Sequence, residues 1–172
     1  NSASVLFRRK LCPGSARIER PFYPDEIRQH KVDLESSKES EIGNISHLLT
    51  EKMFMGEPVA FEKLNYDQEV NERITTNTVS ALEKLLEIEQ RFLEEHGKPF
   101  KVVEMELDGG FLGMTRPITL DIALIAGGYA LIIDLKFGFR AVTSPKNNLQ
   151  LKAYMVCFAR AKGINHIECA VL

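Results

Sequence analysis

The stretch from Ile118 to Lys136 constrains the chain more than any other. Ile118 to Ile125 and Tyr129 to Lys136 are two strongly apolar runs, separated by Ala126-Gly127-Gly128. Runs of this length with a Gly-Gly break predict two antiparallel strands joined by a tight hairpin. Both are too apolar for a sheet with a wet face, so they are expected to be covered on both faces by helices. Each strand nevertheless carries an acid. Asp121 lies on the first, and Asp134 lies on the second, two residues before Lys136. If the turn is at Gly127-Gly128, Asp121 and Asp134 come to lie opposite one another. Asp134 and Lys136 share a face, and Ile133 and Leu135 point into the core.

The remaining elements follow from period and punctuation. Ser36-Ser37-Lys38-Glu39 reads as a capping box for a helix to about Phe54, with Ile42, Ile45, Leu48, Leu49 and Met53 as its apolar stripe. A longer helix is predicted from about Asp67 to Glu95, stopped by Gly97 and Pro99. Lys101 to Leu107 alternates as a strand, with Val103, Met105 and Leu107 on one side and Glu104 and Glu106 on the other. Asp108-Gly109-Gly110 is a turn. Asn147 or Asn148 opens a helix to about Ala161, and Ile167 to Leu172 begins a fourth strand. Residues 1 to 35 read as irregular with one short helix, including a turn or helix start at Cys12-Pro13-Gly14-Ser15. The order predicts an α/β fold, a central mixed sheet flanked by helices. Its 172 residues suit a single domain, 1–172, with a real core. Because the chain stops inside the fourth strand, the domain is expected to continue beyond it.

Bulk properties narrow the class. No run of apolar residues is long enough for a membrane span, and a cytoplasmic location is expected. Three widely spaced cysteines, Cys12, Cys157 and Cys169, make no disulfide framework. A net charge of −2 argues against a tight nonspecific coat on nucleic acid, but not against a metal-dependent nuclease, whose acidic site lowers the net charge. Late basic residues, among them Arg140 and Lys146, surround the Asp134 segment in sequence and are candidate nucleic-acid contacts.

Two facing carboxylates repel unless a cation lies between them. Asp121 and Asp134, with the backbone carbonyl of Leu135, are therefore candidate ligands for Mg²⁺ or Mn²⁺. Lys136 could position or deprotonate a water, or offset charge on a phosphate. Together these groups suit metal-dependent phosphodiester cleavage. The plain alternative is a hairpin with Asp and Lys on a wet face, which the apolar strand makes uncomfortable. Gln150 and Tyr154 are four apart on the last helix and share a face. Gln150 could reach a metal-bound water or a DNA backbone, and Tyr154 could contact a phosphate, stack on a base, or simply pack the core. His47, four after Gly43, is a metal ligand, a phosphate contact or a structural residue. His30, His96 and His166 read as structural. Glu104 and Glu106 could add a ligand but read more simply as solvent-facing.

In this order, Gly43-x-x-x-His47, Asp121, Asp134-x-Lys136 and Gln150-x-x-x-Tyr154 resemble the PD-(D/E)xK nuclease superfamily, in particular its RecB-like exonuclease branch. The opening Arg9 to Ser15 and the piece Asn147 to Leu151 are similar to an uncharacterised phage and prophage family of that branch. The resemblance implies a restriction-endonuclease-like fold, with His47, Asp121 and Asp134 as metal ligands, Lys136 as catalytic lysine, and Gln150 and Tyr154 facing DNA. It implies an exonuclease acting on DNA ends in phage-type recombination or repair, in a bacterial or phage-infected cell. DNA, a second copy of the chain and a recombination partner protein are the partners compatible with it. Two departures stand out: Ile118 replaces a glycine before Thr119, and there is no late cysteine trio for an iron–sulfur cluster. The rival readings are a non-catalytic DNA-binding or assembly module, an RNA-directed nuclease, and a metal-binding structural protein.

Overall fold

A computed structural model describes residues 38–137 and 145–172. The Ser36 cap, the irregular N-terminal stretch with Cys12 and His30, and Arg140 lie outside the described residues. Among the described residues the sheet has four strands: β1 (Phe100–Leu107), β2 (Ile118–Ala126), β3 (Tyr129–Asp134) and β4 (His166–Val171). They lie side by side in chain order, the first three antiparallel and β4 parallel to β3. Three helices flank them: α1 (Lys38–Phe54), α2 (Gln68–His96) and α3 (Leu149–Lys162). This is an α/β arrangement with a mixed sheet. Among the described residues no helix is long and apolar enough to cross a membrane.

Local chemistry sets the helix boundaries. Asp67 caps α2 by accepting from Val70 N at 2.9 Å, and Gly97, with a positive φ of 87°, ends it. Asn148 caps α3 by accepting from Gln150 N at 2.9 Å. Gly127 and Gly128 both take positive φ, 57° and 84°, as a two-residue hairpin turn of the right twist requires. That turn sets the β2–β3 register, pairing Ile122 with Ile133, so Asp121 and Asp134 are the next residues along.

The sheet is covered on both faces. On one side Leu107, Leu120 and Ile132 pack with Leu151, Tyr154 and Phe158 of α3. On the other, Ile122, Leu124 and Ile133 pack with Leu85 and Phe92 of α2 and Phe54 of α1. The first half of α2 meets α1 through Ile42, Val70 and Ile74.

Three expectations change. The buried side of α1 runs through Ile42, Ser46, Thr50 and Phe54, while Leu48 of the predicted stripe is half exposed. Small residues on this side permit a close approach: a Cβ on Gly43 would sit 3.2 Å from the carbonyl oxygen of Phe137. Secondly, β3 ends at Asp134 rather than Lys136: Leu135 N donates to the Asp121 carboxylate (2.7 Å), while Lys136 N still donates to the Leu172 carbonyl (2.8 Å).

Thirdly, the simple alternation in β1 fails. Val102 and Met105 pack on the α3 side, but Val103 packs on the α2 side. In β2 the same step separates Leu120 from Ile122, which a regular strand would keep on one face. Both strands step between the pairs Val103–Ile122 and Met105–Leu120, so the register survives and the irregular residues are Glu104 and Asp121. Glu104 has φ 48°, the only positive value at a non-glycine among the described residues. For a glutamate that conformation costs roughly 1–2 kcal/mol.

Candidate functional site

The steps at Glu104 and Asp121 lie where α1 meets the ends of β2 and β3. There a cavity of about 360 Å³ is lined by Gly43, Asn44 and His47 of α1, by Asp121, and by Leu135 and Lys136 after β3. Asp134 lies directly behind Lys136 and is fully buried.

The two aspartates are held by different helices. Asp134 Oδ1 accepts from Lys136 Nζ at 2.7 Å and from Gln150 Nε2 of α3 at 3.2 Å. Its Oδ2 is buried without a hydrogen-bond partner among the described residues. Burial pushes the Asp134 carboxyl above the usual carboxylate range, and the neighbouring Lys136 ammonium opposes this. Asp121 Oδ2 accepts from Leu135 N and lies 3.2 Å from His47 Nε2 of α1. The expected pair of facing carboxylates is thus adjacent along the ladder, but each already has cationic or hydrogen-bonding partners.

Gln150 and Tyr154 turn toward this interior. Gln150 Nε2 lies 2.6 Å from the Tyr154 hydroxyl. Tyr154 is 4% exposed and packs with Leu120 and Phe158, so of its alternatives the structure places the ring in the core. Burial also raises its hydroxyl well above the ordinary range, keeping it neutral. Lys146 is exposed, in the single turn Pro145–Asn147 that precedes α3.

His47 joins two sets of acids. Its Nε2 faces Asp121, and its Nδ1 lies 3.6 Å from Glu51 Oε1, one turn further along α1. Burial disfavours the cationic ring, but the Asp121 and Glu51 carboxylates beside it outweigh that and push its pKa up to about 10. Glu104 reaches the same place from β1, and ligand atoms of His47, Glu51 and Glu104 all lie within 4.8 Å of one another. This group could hold a metal ion, an arrangement compatible with a metal-dependent enzyme. Partial burial and the Glu51 carboxylate raise the Glu104 carboxyl.

Sequence reasoning passed over Glu51, although an acid four residues after a histidine on a helix is a visible pattern. It set Glu104 aside as solvent-facing. The residue is exposed, but the backbone step brings its carboxylate beside His47 and Glu51. His96 and His166 lie elsewhere, each against the Tyr129 ring at the hairpin end of β3. Cys157 and Cys169 are free thiols. Burial raises both, Cys169 to about 12.

No curated protein matches the chain. Residues 2–167 match the family described as Protein of unknown function (DUF2800), nearly the whole length. The chain belongs to that family.

Proposed function

We propose that this chain is a divalent-metal-dependent deoxyribonuclease of the PD-(D/E)xK superfamily, in its RecB-like branch, folded as a single restriction-endonuclease-like domain. The element order supports this, with two helices before a three-stranded antiparallel meander and another helix between β3 and the parallel β4. The observation that carries it is the convergence of His47, Asp121, Leu135 and Lys136 on one cavity, with Asp134 buried behind them. His47 and Asp121 are 74 residues apart in the chain (121 − 47), so this meeting is not a local accident.

The donors fit a hard cation. Among the described residues Asp134 Oδ2 is a buried oxygen without a hydrogen-bond partner, and the contacts seen for the Asp121 carboxylate are through Oδ2. Carboxylate oxygens, with the Leu135 carbonyl and His47 in reach, suit Mg²⁺ or Mn²⁺. Such an ion, when bound, supplies an activated water and neutralises charge on the scissile phosphate. Lys136, held by Asp134, orients that water or stabilises charge building on the phosphate oxygens. Gln150 positions Asp134 by hydrogen bonding, and Tyr154 positions Gln150. Arg140 and Lys146 contact the DNA backbone. The activity fits an exonuclease on DNA ends in phage-type recombination or repair, inside a bacterial or phage-infected cell.

End-labelled linear DNA and closed circular DNA, incubated with Mg²⁺ or Mn²⁺, test this. The wild type degrades only the linear form, and Lys136→Ala and Asp121→Ala each lose about a hundredfold or more. Cleavage of closed circles moves the assignment to an endonuclease. A folded protein that binds DNA but cuts neither is a binding module that keeps the nuclease fold.

A further inference from the structure

The imidazole of His47 has acids on both of its nitrogens, and the two sides differ. On the Nε2 side, Asp121 Oδ2 lies at 3.2 Å and also accepts from Leu135 N at 2.7 Å. A cation binding at Nδ1 would displace the second proton that the metal-free ring holds, leaving Nε2–H donated to this carboxylate. A carboxylate that fixes the tautomer in this way commonly stands behind a metal-binding histidine. On the Nδ1 side are Glu51 and Glu104.

Two further observations bear on the Nδ1 side. Glu51 is 3% exposed, and its Oε1, the atom facing Nδ1 at 3.6 Å, has no hydrogen-bond partner among the described residues. A buried carboxylate oxygen without a partner is rare and costly, and a cation removes that cost. Glu104 reaches the group from a strand residue with φ 48°, a conformation a glutamate adopts only where its surroundings enforce it.

We propose that His47 Nδ1, Glu51 and Glu104 hold a divalent cation of their own, across the imidazole ring from Asp121 and Asp134. His47 would then serve this position rather than the first, leaving Asp121, Asp134 and the Leu135 carbonyl as the candidate donors there, while Asp121 Oδ2 would steady the histidine. The second position has one nitrogen and two carboxylate donors. That set favours Mn²⁺ or Zn²⁺ over Mg²⁺, because imidazole is a better ligand for the later transition metals. The role of the neighbouring position rests on the nuclease reading, but cation binding at this one does not.

Calorimetric titration of the metal-free full chain with Mn²⁺, and separately with Mg²⁺, tests the site. The wild type is expected to bind Mn²⁺ at least about tenfold more tightly than Mg²⁺. Glu104→Gln, at an exposed position, weakens the tighter Mn²⁺ binding event about tenfold or more, as loss of a ligand or its support does, whereas Asp134→Asn, which removes a donor of the other position, leaves that Glu104-dependent event in place. Glu51→Gln, checked for folding by its thermal melt, weakens it likewise. The site is overturned if the wild type shows no preference for Mn²⁺, if Glu104→Gln and folded Glu51→Gln both bind like wild type, or if Asp134→Asn abolishes binding. DNA cleavage by the same proteins separates the two ideas. Mn²⁺ binding that depends on Glu104, without cleavage of any DNA, keeps this site and overturns the nuclease reading. Cleavage with Mn²⁺ binding insensitive to Glu104 does the reverse.

Discussion

At the hairpin end of β3, Tyr129 stacks on His96 with ring centroids 4.3 Å apart and also meets His166 at 5.0 Å. At the opposite end, five residues on, Asp134 is fully buried with an unpartnered oxygen, near His47 and its acids. Both ends use histidine and a neighbouring polar ring or carboxylate. At the first, apolar ring faces meet and the polar edges can reach water, so the arrangement explains itself by packing. At the second, charged groups are taken out of water and left partly unsatisfied, which packing alone does not explain. Burial without satisfaction therefore singles out the Asp134 end.

Asp134→Asn gives the widest contrast. Cleavage should fall about a hundredfold or more, yet the melting temperature of the metal-free protein should hold or rise, because a buried charge is removed while the amide can still accept from Lys136. A large drop in melting temperature would mean that Asp134 is chiefly a structural ion-pair partner.

The second prediction concerns pH. In the metal-free fold His47 holds its proton up to about pH 10, against a reference value of 6.5. The folded value is the raised one, so its contribution to stability is complete below about pH 6.5 and is lost as pH climbs through about 10. The metal-free wild type should lose melting temperature across that window more steeply than His47→Gln. Equal slopes would show that Asp121 and Glu51 do not hold a charged ring.

Gly43→Ala is a smaller perturbation. The new methyl would meet the Phe137 carbonyl at 3.2 Å, so α1 must shift by tenths of an ångström, carrying His47 away from Asp121. Cleavage should fall about tenfold with little change in stability, since small misplacements in a catalytic site cost rate before they cost fold. Unchanged activity would mean that the α1–Phe137 contact does not set the site. Smallest of all, Tyr129→Ala removes two ring contacts at the hairpin end. It should cost about 1–2 kcal/mol by denaturant unfolding and leave cleavage within about twofold. A large loss of cleavage would erase the contrast between the two ends.

Much of this architecture is legible in local spacing. The Gly127-Gly128 turn dictated the register that brings Asp121 next to Asp134, because a two-residue hairpin leaves no freedom to slip. Asp67 and Gly97, and Asn148 and Gly163, bound their helices through backbone bonds within a few residues. Period and capping are properties of neighbours in the chain, so a sequence carries them openly. The gathering of Glu51 and Glu104 around His47, the step that turns β1 and β2 at Glu104 and Asp121, and the burial of Tyr154 between sheet and helix were decided by tertiary structure alone. Each depends on segments far apart in sequence meeting in one place. Alternation predicts a face only while the strand stays regular, and here the packing of α1 and α3 against opposite sides of the sheet accompanies the break in that regularity.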